Sequence, residues 1–285
     1  MPELPEVEIT ARRLDEALAG AQIESTMAPG INALKTFDPP LHALDGRTIE
    51  GIRRRGKHLV IDVAGELAVL VHLMSAGRLQ LYDKRASLRD RTSRLLIRIE
   101  GSERELRLRE FGTKQAAWVK VLHAPELEED PALATLGPDA WPEPPADLRE
   151  LLAAQGARPL HSVLRDQRVI AGIGRSWVDE ILWTAELSPF ERANDLAAEQ
   201  DETLRAAMRD VLGGALAHYE EVVRLPIPDK LPLPLQVHRH QGEPCPRCGT
   251  TLEAVHYEDY VMCYCPQDQT GGRVLKDRRL SRLLK

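Results

Sequence analysis

Between about residue 22 and residue 122 the pattern is mostly short and strand-like. The runs are "HLVIDV", "LAVLVHL", "RLQLYD", "SRLLIRIE", "RELRLREF" and "AAWVKVL", parted by Gly, Asp, Lys and Ser turns. Several such strands within about 100 residues predict a β-sandwich or barrel. From Leu148 to about Val223 the period becomes that of a helix, in "DLRELLAAQ", "LHSVLRDQRVI", "WVDEILWTAEL" and "LAAEQDETLRAAMRDVLGGALAHYEEVV". A chain of 285 residues is long enough to give each kind of layer its own core.

The segments around these two blocks read differently. After Pro5, which suits the first turn of a helix, Val7, Ala11, Leu14 and Leu18 keep helical spacing and Gly20 marks a stop. Residues 125–147 are rich in proline and acid and read as a linker. "LPIPDKLPLP" is an extended, proline-rich connector between the helical block and the last module.

The formal net charge is −6, which by itself announces no nucleic-acid partner. Its placement matters more. Residues 51–120 carry 16 Lys and Arg against 8 Asp and Glu, residues 126–150 carry 1 against 8, and 271–285 are basic again. Such a chain presents a cationic face despite its sum. "MPELPEVEITARRL" is too charged for a secretory segment, and runs such as "LAVLVHLMSAG" are too short to span a bilayer. A soluble, cytoplasmic protein is expected.

All four cysteines, Cys245, Cys248, Cys263 and Cys265, lie within 21 residues. In a cytosolic chain that clustering favours a metal over disulfides. "CPRCG" is a turn that offers two thiolates to one tetrahedral ion, and "CYCPQD" follows after a hairpin-like stretch. Cys245, Cys248 and Cys265 supply three ligands to a structural Zn2+. The fourth is Cys263 or Asp268: thiolate chemistry narrowly favours Cys263, spacing favours Asp268.

"PELPEVE" at the start reads as a helix opening with acids placed at its positive end. A second reading starts from removal of Met1, common before a small residue. It would leave Pro2 with a secondary amine, the α-amine class titrating near pH 8. An iminium formed on it has no nitrogen proton to lose, and Glu3 stands beside it as a proton carrier.

Six stretches, in order, resemble the formamidopyrimidine-DNA glycosylase and endonuclease VIII family of base-excision repair enzymes. They are "PELPEVE", "RRRGKHLVI", "HLMSAGRLQL", "LREFG", "LRDQRVIAGIGRSWVDEILW" and "VHRHQGEPCPRCG". The resemblance implies an α+β multidomain protein: an N-terminal helix plus β-sandwich, a helical helix–two-turn–helix domain, and a C-terminal zinc-finger β-hairpin. The corresponding limits are 1–124 for the catalytic sandwich, 125–147 for the linker, 148–234 for the helical DNA-binding domain, 235–270 for the finger and 271–285 for the basic tail. It implies a bifunctional glycosylase and AP lyase acting as a monomer on double-stranded DNA with damaged bases or abasic sites.

In this reading Pro2 attacks C1′ and forms a Schiff base, Glu3 manages protons, and Lys57 assists at the phosphate and sugar. Glu6, Arg109, Phe111, Gly174 and Arg175 face DNA. Arg109 meets the widowed base and Phe111 wedges between base steps. The sequence departs from the family at Arg175 (usually asparagine), Trp177 (tyrosine), His161 (lysine), Ser75 (methionine, with Met74 adjacent) and Tyr260 (arginine). With Tyr260 there the resemblance stops short of δ-elimination. "RLPIPDKLPLP" replaces the glycine-rich loop that covers 8-oxoguanine, so the chain leans towards an endonuclease VIII-like substrate, oxidised pyrimidines or abasic sites. His72 reads as a strand histidine satisfied within the sandwich.

Overall fold

The structure, a computed structural model, describes residues 2–30, 32–87, 90–111, 115–258 and 260–275. The basic tail expected over 271–285 lies outside the described residues from 276 onward. The chain forms two compact units, Met1–Thr135 with His218–Pro232, and Leu136–Ala217 with Leu233–Lys285.

In the first unit helix α1 (Leu4–Leu18) begins after Glu3 and carries Pro5 in its first turn. It ends before Gly20, whose φ of +84° needs a residue without a Cβ. Eight strands follow: β1 (Ile23–Met27), β2 (Ile49–Arg55), β3 (His58–Val63), β4 (Leu67–His72), β5 (Gly77–Tyr82), β6 (Ser93–Ile99), β7 (Glu105–Glu110) and β8 (Trp118–His123). They form two antiparallel sheets, ordered β1-β6-β7-β5 and β2-β3-β4-β8. The inward residues of both, among them Ile52, Leu59, Ile61, Leu79, Leu81, Leu106 and Leu108, join α1 in one core. The sandwich read from the short strand-like runs is the fold. On the other face of β5 and β7, Gln80, Glu105 and Arg107 are buried as well, and Glu105 accepts hydrogen bonds from Arg107 and Arg98.

The acidic stretch after β8 is less of a linker than its composition implies. Asp130 caps α2 (Pro131–Ala134) through the Ala132 N–H at 2.9 Å and accepts Lys120 Nζ at 2.7 Å. Those bonds tie it to β8, and the division between units falls after Thr135.

The second unit holds α3 (Leu148–Ala153), α4 (Leu160–Val163), α5 (Arg175–Thr184) and most of α6 (Ala198–Val222). The expected helix over 160–170 is only the single turn α4. Asp166 takes the Arg168 N–H, and Gln167 Nε2 donates to the Arg165 and Ile173 carbonyls. These side-chain bonds offer the backbone an alternative to the helix ladder. The remaining elements are the hairpin β9 (Glu253–His256) and β10 (Val261–Tyr264), paired antiparallel, and α7 (Pro266–Thr270). No helix of the described residues is long and apolar enough to cross a membrane.

The end of α6, from His218, belongs to the first unit. Tyr219 and Val223 enter the sandwich core. Arg13 of α1 donates to the Glu220 and Val223 carbonyls at 2.8 and 3.0 Å, meeting the negative end of that helix.

Candidate functional site

Pro2 is half-buried, immediately ahead of α1. Glu3 and Glu6 form a reciprocal capping box, the Glu3 N–H donating to Glu6 Oε2 at 2.7 Å. The other oxygen of Glu6 accepts the Tyr219 hydroxyl at 2.9 Å. Both carboxylates are buried, 3% and 6% exposed. Burial first, and then the charges of Glu6 and Glu3, raise the Tyr219 hydroxyl far above the usual phenol range. It is therefore a fixed donor. Sequence reasoning missed Tyr219, because it stands on a helix 213 residues from Glu6 that otherwise belongs to the other unit.

Lys57 lies in the β2–β3 turn and is 7% exposed. The turn is fastened to α1: Arg54 Nε pairs with Glu8 at 2.9 Å while its Nη1 donates to the Gly56 carbonyl at 3.0 Å. Burial first, and then the charge of Lys57, lower the pKa of His72 to about 4. His72 Nδ1 accepts the Met74 N–H at 3.0 Å and its ring stacks with Trp118. It is the satisfied strand histidine expected.

The loop between β4 and β5 presents Met74 and Ser75. Met74 is half-buried with φ +49°, and Ser75 is exposed. Gly77 closes this loop, since a Cβ there would stand 2.4 Å from the Leu73 oxygen. Arg109 is the last residue but one of β7, and Phe111 follows the strand with its ring 4.6 Å from the Arg109 guanidinium carbon. Buried Glu110 accepts the N–H groups of Ala116 and Ala117 at 2.7 and 3.0 Å, which anchors the far side of that loop.

In the second unit the turn Gly172–Gly174 leads into α5. Gln167 braces it, accepting the Gly172 N–H at 2.9 Å and donating to the Ile173 carbonyl at 2.7 Å. Gly174 is the N-cap and Arg175 the first helical residue. Three of the departures noted in the sequence meet here. The Tyr260 ring stacks on His161, 5.8 Å between centroids, and lies under the guanidinium of Arg175 at 5.3 Å. Arg165 is closer still, 4.1 Å from the ring centre, and Tyr257 stacks on the same ring at 4.3 Å. Arg165 carries no signal in the sequence that would single it out.

Behind this cluster Asp179, 1% exposed, accepts His161 Nε2 at 3.1 Å, His238 Nδ1 at 2.6 Å and the Cys263 N–H at 3.0 Å. Glu180 accepts the N–H groups of Gln236, Val237 and His238. Burial pushes the Glu180 carboxyl up while those three donors pull it back.

Cys245, Cys248, Cys265 and Asp268 form a group whose ligand atoms all lie within 4.8 Å of one another. Cys248 and Cys265 sulfurs are 3.4 Å apart, and Cys245 Sγ is 3.5 Å from Asp268 Oδ2. A tetrahedral zinc with bonds of about 2.3 Å to sulfur and about 2.0 Å to oxygen has edges of about 3.5–3.8 Å. The donor set fits that ion. Cys263, the narrow preference of the sequence reading, stands outside the group. Its Sγ accepts the Arg239 N–H at 3.2 Å, and burial first, then Asp179, pushes its thiol up to about 11. Pairing of Cys263 with Ala254 in the hairpin fixes it on the strand, whereas the turn of α7 brings Asp268 round to the other three.

Comparison with known proteins agrees with this architecture. The family model described as the formamidopyrimidine-DNA glycosylase N-terminal domain matches residues 1–114, and its H2TH domain matches 136–225. The formamidopyrimidine-DNA glycosylase of Moorella thermoacetica is 35% identical over 264 residues, covering 90% of this chain and 94% of that protein. An uncharacterized formamidopyrimidine-DNA glycosylase-like protein of Mycobacterium tuberculosis is 43% identical over 155 residues, 54% of this chain and 98% of that one. Among solved structures, MutM in complex with DNA containing carbocyclic 8-oxo-G superposes with a TM-score of 0.82 at 25% identity, covering 94% of this chain and 100% of that one. Lactococcus lactis Fpg in complex with DNA containing N7-benzyl-Fapy-dG gives 0.83 at 24% identity, with the same coverage. The chain belongs to the formamidopyrimidine-DNA glycosylase family.

Proposed function

We propose that this chain excises oxidised bases from double-stranded DNA and then cleaves the strand, through a covalent intermediate on Pro2. It is a DNA glycosylase of the family named above. The observation that carries the mechanism is the start of α1, where Pro2 adjoins two buried, mutually capped carboxylates braced by Tyr219.

With Met1 removed, the Pro2 nitrogen attacks C1′ and the C1′–base bond breaks, the base leaving with the electron pair. Glu3 takes up the Pro2 N–H proton and passes it to the sugar ring oxygen as the C1′–O4′ bond opens and the N=C1′ iminium forms. The departing base takes its proton from water. Loss of a C2′ proton then expels the 3′ phosphate, and water releases the sugar fragment from Pro2. A buried carboxylate whose neighbours fix its geometry is suited to this shuttle. Lys57, on the turn fastened to α1, serves the phosphate next to the lesion. Glu6 keeps Glu3 in place. Arg109 reads the widowed base, Phe111 fills the stack, and Arg175 with the Gly174 turn grips the backbone on the other unit. Zn2+ at Cys245, Cys248, Cys265 and Asp268 would hold the hairpin and take no part in the chemistry.

The connector after α6 supports oxidised pyrimidines and abasic sites ahead of 8-oxoguanine. It is bonded to β5 at two points rather than being a glycine-rich cover.

The test is borohydride trapping on duplexes carrying an abasic site, dihydrothymine or 8-oxoguanine, with Pro2→Gly and Glu3→Gln beside the wild type. An adduct at the N-terminus that vanishes in Pro2→Gly is expected, with Glu3→Gln slowed about 100- to 10,000-fold. Tight abasic-site binding with no adduct on any duplex would leave a damage-binding protein without catalysis.

A further inference from the structure

Arg78, Gln80 and Tyr82 alternate along β5 and so share one face, opposite the face that enters the core. That face meets the connector. Arg78 Nε donates to the Asp229 carbonyl at 2.5 Å, and Gln80 Nε2 donates to the Ile227 carbonyl at 2.5 Å and to Asp229 Oδ1 at 3.0 Å. Gln80 is 3% exposed.

The amide of Gln80 has two N–H donors, and both are taken by the connector. Its oxygen can only accept. The Tyr82 hydroxyl, 2.7 Å away, must therefore give its single proton to Gln80 Oε1. That leaves the Tyr82 oxygen as an acceptor, and Arg109 Nη1 donates to it at 2.7 Å. Arg109 Nε donates to Thr92 Oγ1 at 3.0 Å, and the Tyr82 ring is further held by the Arg107 guanidinium at 4.3 Å. Two inward bonds thus orient the fork of Arg109. Among the described residues its Nη2 group has no hydrogen-bond partner, so a full amino group remains for an incoming base edge.

We propose that Gln80 and Tyr82 form a polarised relay by which the connector at Ile227–Asp229 sets the orientation of Arg109, and with it the choice of opposite base. Both are positioning residues. The proposal rests on the reading of Arg109 as the contact to the widowed base. The connector, placed where a lesion is covered in relatives with a glycine-rich loop, then acts on the opposite strand instead.

The experiment measures equilibrium binding of the full chain to four abasic-site duplexes that differ only in the opposite base. Binding is the readout, so the test survives failure of the covalent mechanism. Arg109→Ala defines the loss of preference among the four. Tyr82→Phe keeps the ring over Arg107 and removes the acceptor; Gln80→Leu removes the relay's centre. Both are expected to shrink the ratio of strongest to weakest duplex about 3- to 10-fold towards that of Arg109→Ala, and to have no further effect in the Arg109→Ala background. Asp229→Ala removes one of the two acceptors that hold the Gln80 amide, leaving the Ile227 carbonyl, and should move the ratio the same way by a smaller amount. It also replaces Tyr82→Phe should that variant fail to fold. An unchanged ratio in the relay variants while Arg109→Ala loses its preference overturns the relay alone, as does an added effect of Tyr82→Phe in the Arg109→Ala background. An unchanged ratio in Arg109→Ala overturns the reading of Arg109 and the relay with it.

Discussion

The sandwich and the cysteine module are held by different forces. Among the described residues of the first unit, 29 buried ones form one apolar cluster. A fully buried aliphatic side chain contributes about 1.5–3 kcal/mol, so apolar burial is the main favourable force in this unit. In the module the corresponding clusters are Val237, Cys245, Leu252 and Cys265, and Val255, Met262 and Tyr264. Two of those seven are themselves metal-site cysteines. Beside that small apolar area stand a group that could hold a metal ion on one side and the buried Asp179 and Glu180 carboxylates on the other. The difference teaches where to press each: the sandwich with acid and cavities, the module by removing a metal.

The strongest way to break that contrast is to remove the metal. Chelation, or Cys248→Ser, is expected to abolish the module's order, since structural zinc contributes on the order of 10 kcal/mol to such folds. Hydrogen exchange should show amides of β9 and β10 losing protection while β3 and β4 keep theirs. Protection of the hairpin that survives metal removal would mean the carboxylate network suffices.

Acid tests the other side. His58 and His72 face each other in the sandwich, with ring centres 4.5 Å apart beside Trp118. Burial holds them neutral, with their pKa values lowered to about 3 and about 4. Unfolded, both take up a proton near pH 6.5, whereas the folded chain binds it only at lower pH. Stability is therefore lost as pH falls from about 6.5 to about 4 for both, and on to about 3 for His58. The slope is at most about 1.4 kcal/mol per pH unit for each. Urea unfolding between pH 7 and pH 5 should show it, and His58→Gln with His72→Gln should flatten it. An unaltered slope in the double variant would move the acid sensitivity to the carboxylates.

How much of this was legible in the sequence follows the range of the signals. The strands and α1 were readable, because period and turn residues are local. The turn at 164–171 was not, since Asp166 and Gln167 compete with the helix only through bonds that the folded turn brings together. In the candidate metal group, Cys245, Cys248 and Cys265 were named outright from the sequence and Asp268 only as the alternative to Cys263. Deciding the fourth needed the direction in which β10 and α7 point, which no composition rule carries. Tyr219 and the Gln80–Tyr82 relay were invisible for the same reason, as each joins residues about 150 or more positions apart.

The fourth ligand gives the next smaller effect. Asp268→Ala should weaken metal affinity at least about a hundredfold, whereas Cys263→Ser should keep one metal per chain. Competition with a chromogenic chelator separates them. Loss of metal in Cys263→Ser alone would restore the thiolate preference of the sequence reading and place Asp268 outside the site.

The finest distinction concerns Tyr219, where one hydroxyl serves both stability and chemistry. Tyr219→Phe keeps the ring in the sandwich core and removes only the donor to Glu6 Oε1. A buried carboxylate left without that donor costs about 1–3 kcal/mol. A purely structural role predicts a lower melting temperature and an unchanged single-turnover rate on an abasic duplex. The bracing role predicts that the rate falls as well, because Glu6 is half of the capping box that holds Glu3. The relation between the two readouts decides it: a rate that follows stability and recovers fully at lower temperature would leave the hydroxyl as packing. A rate deficit that persists where the variant is fully folded would make it part of the proton-handling site.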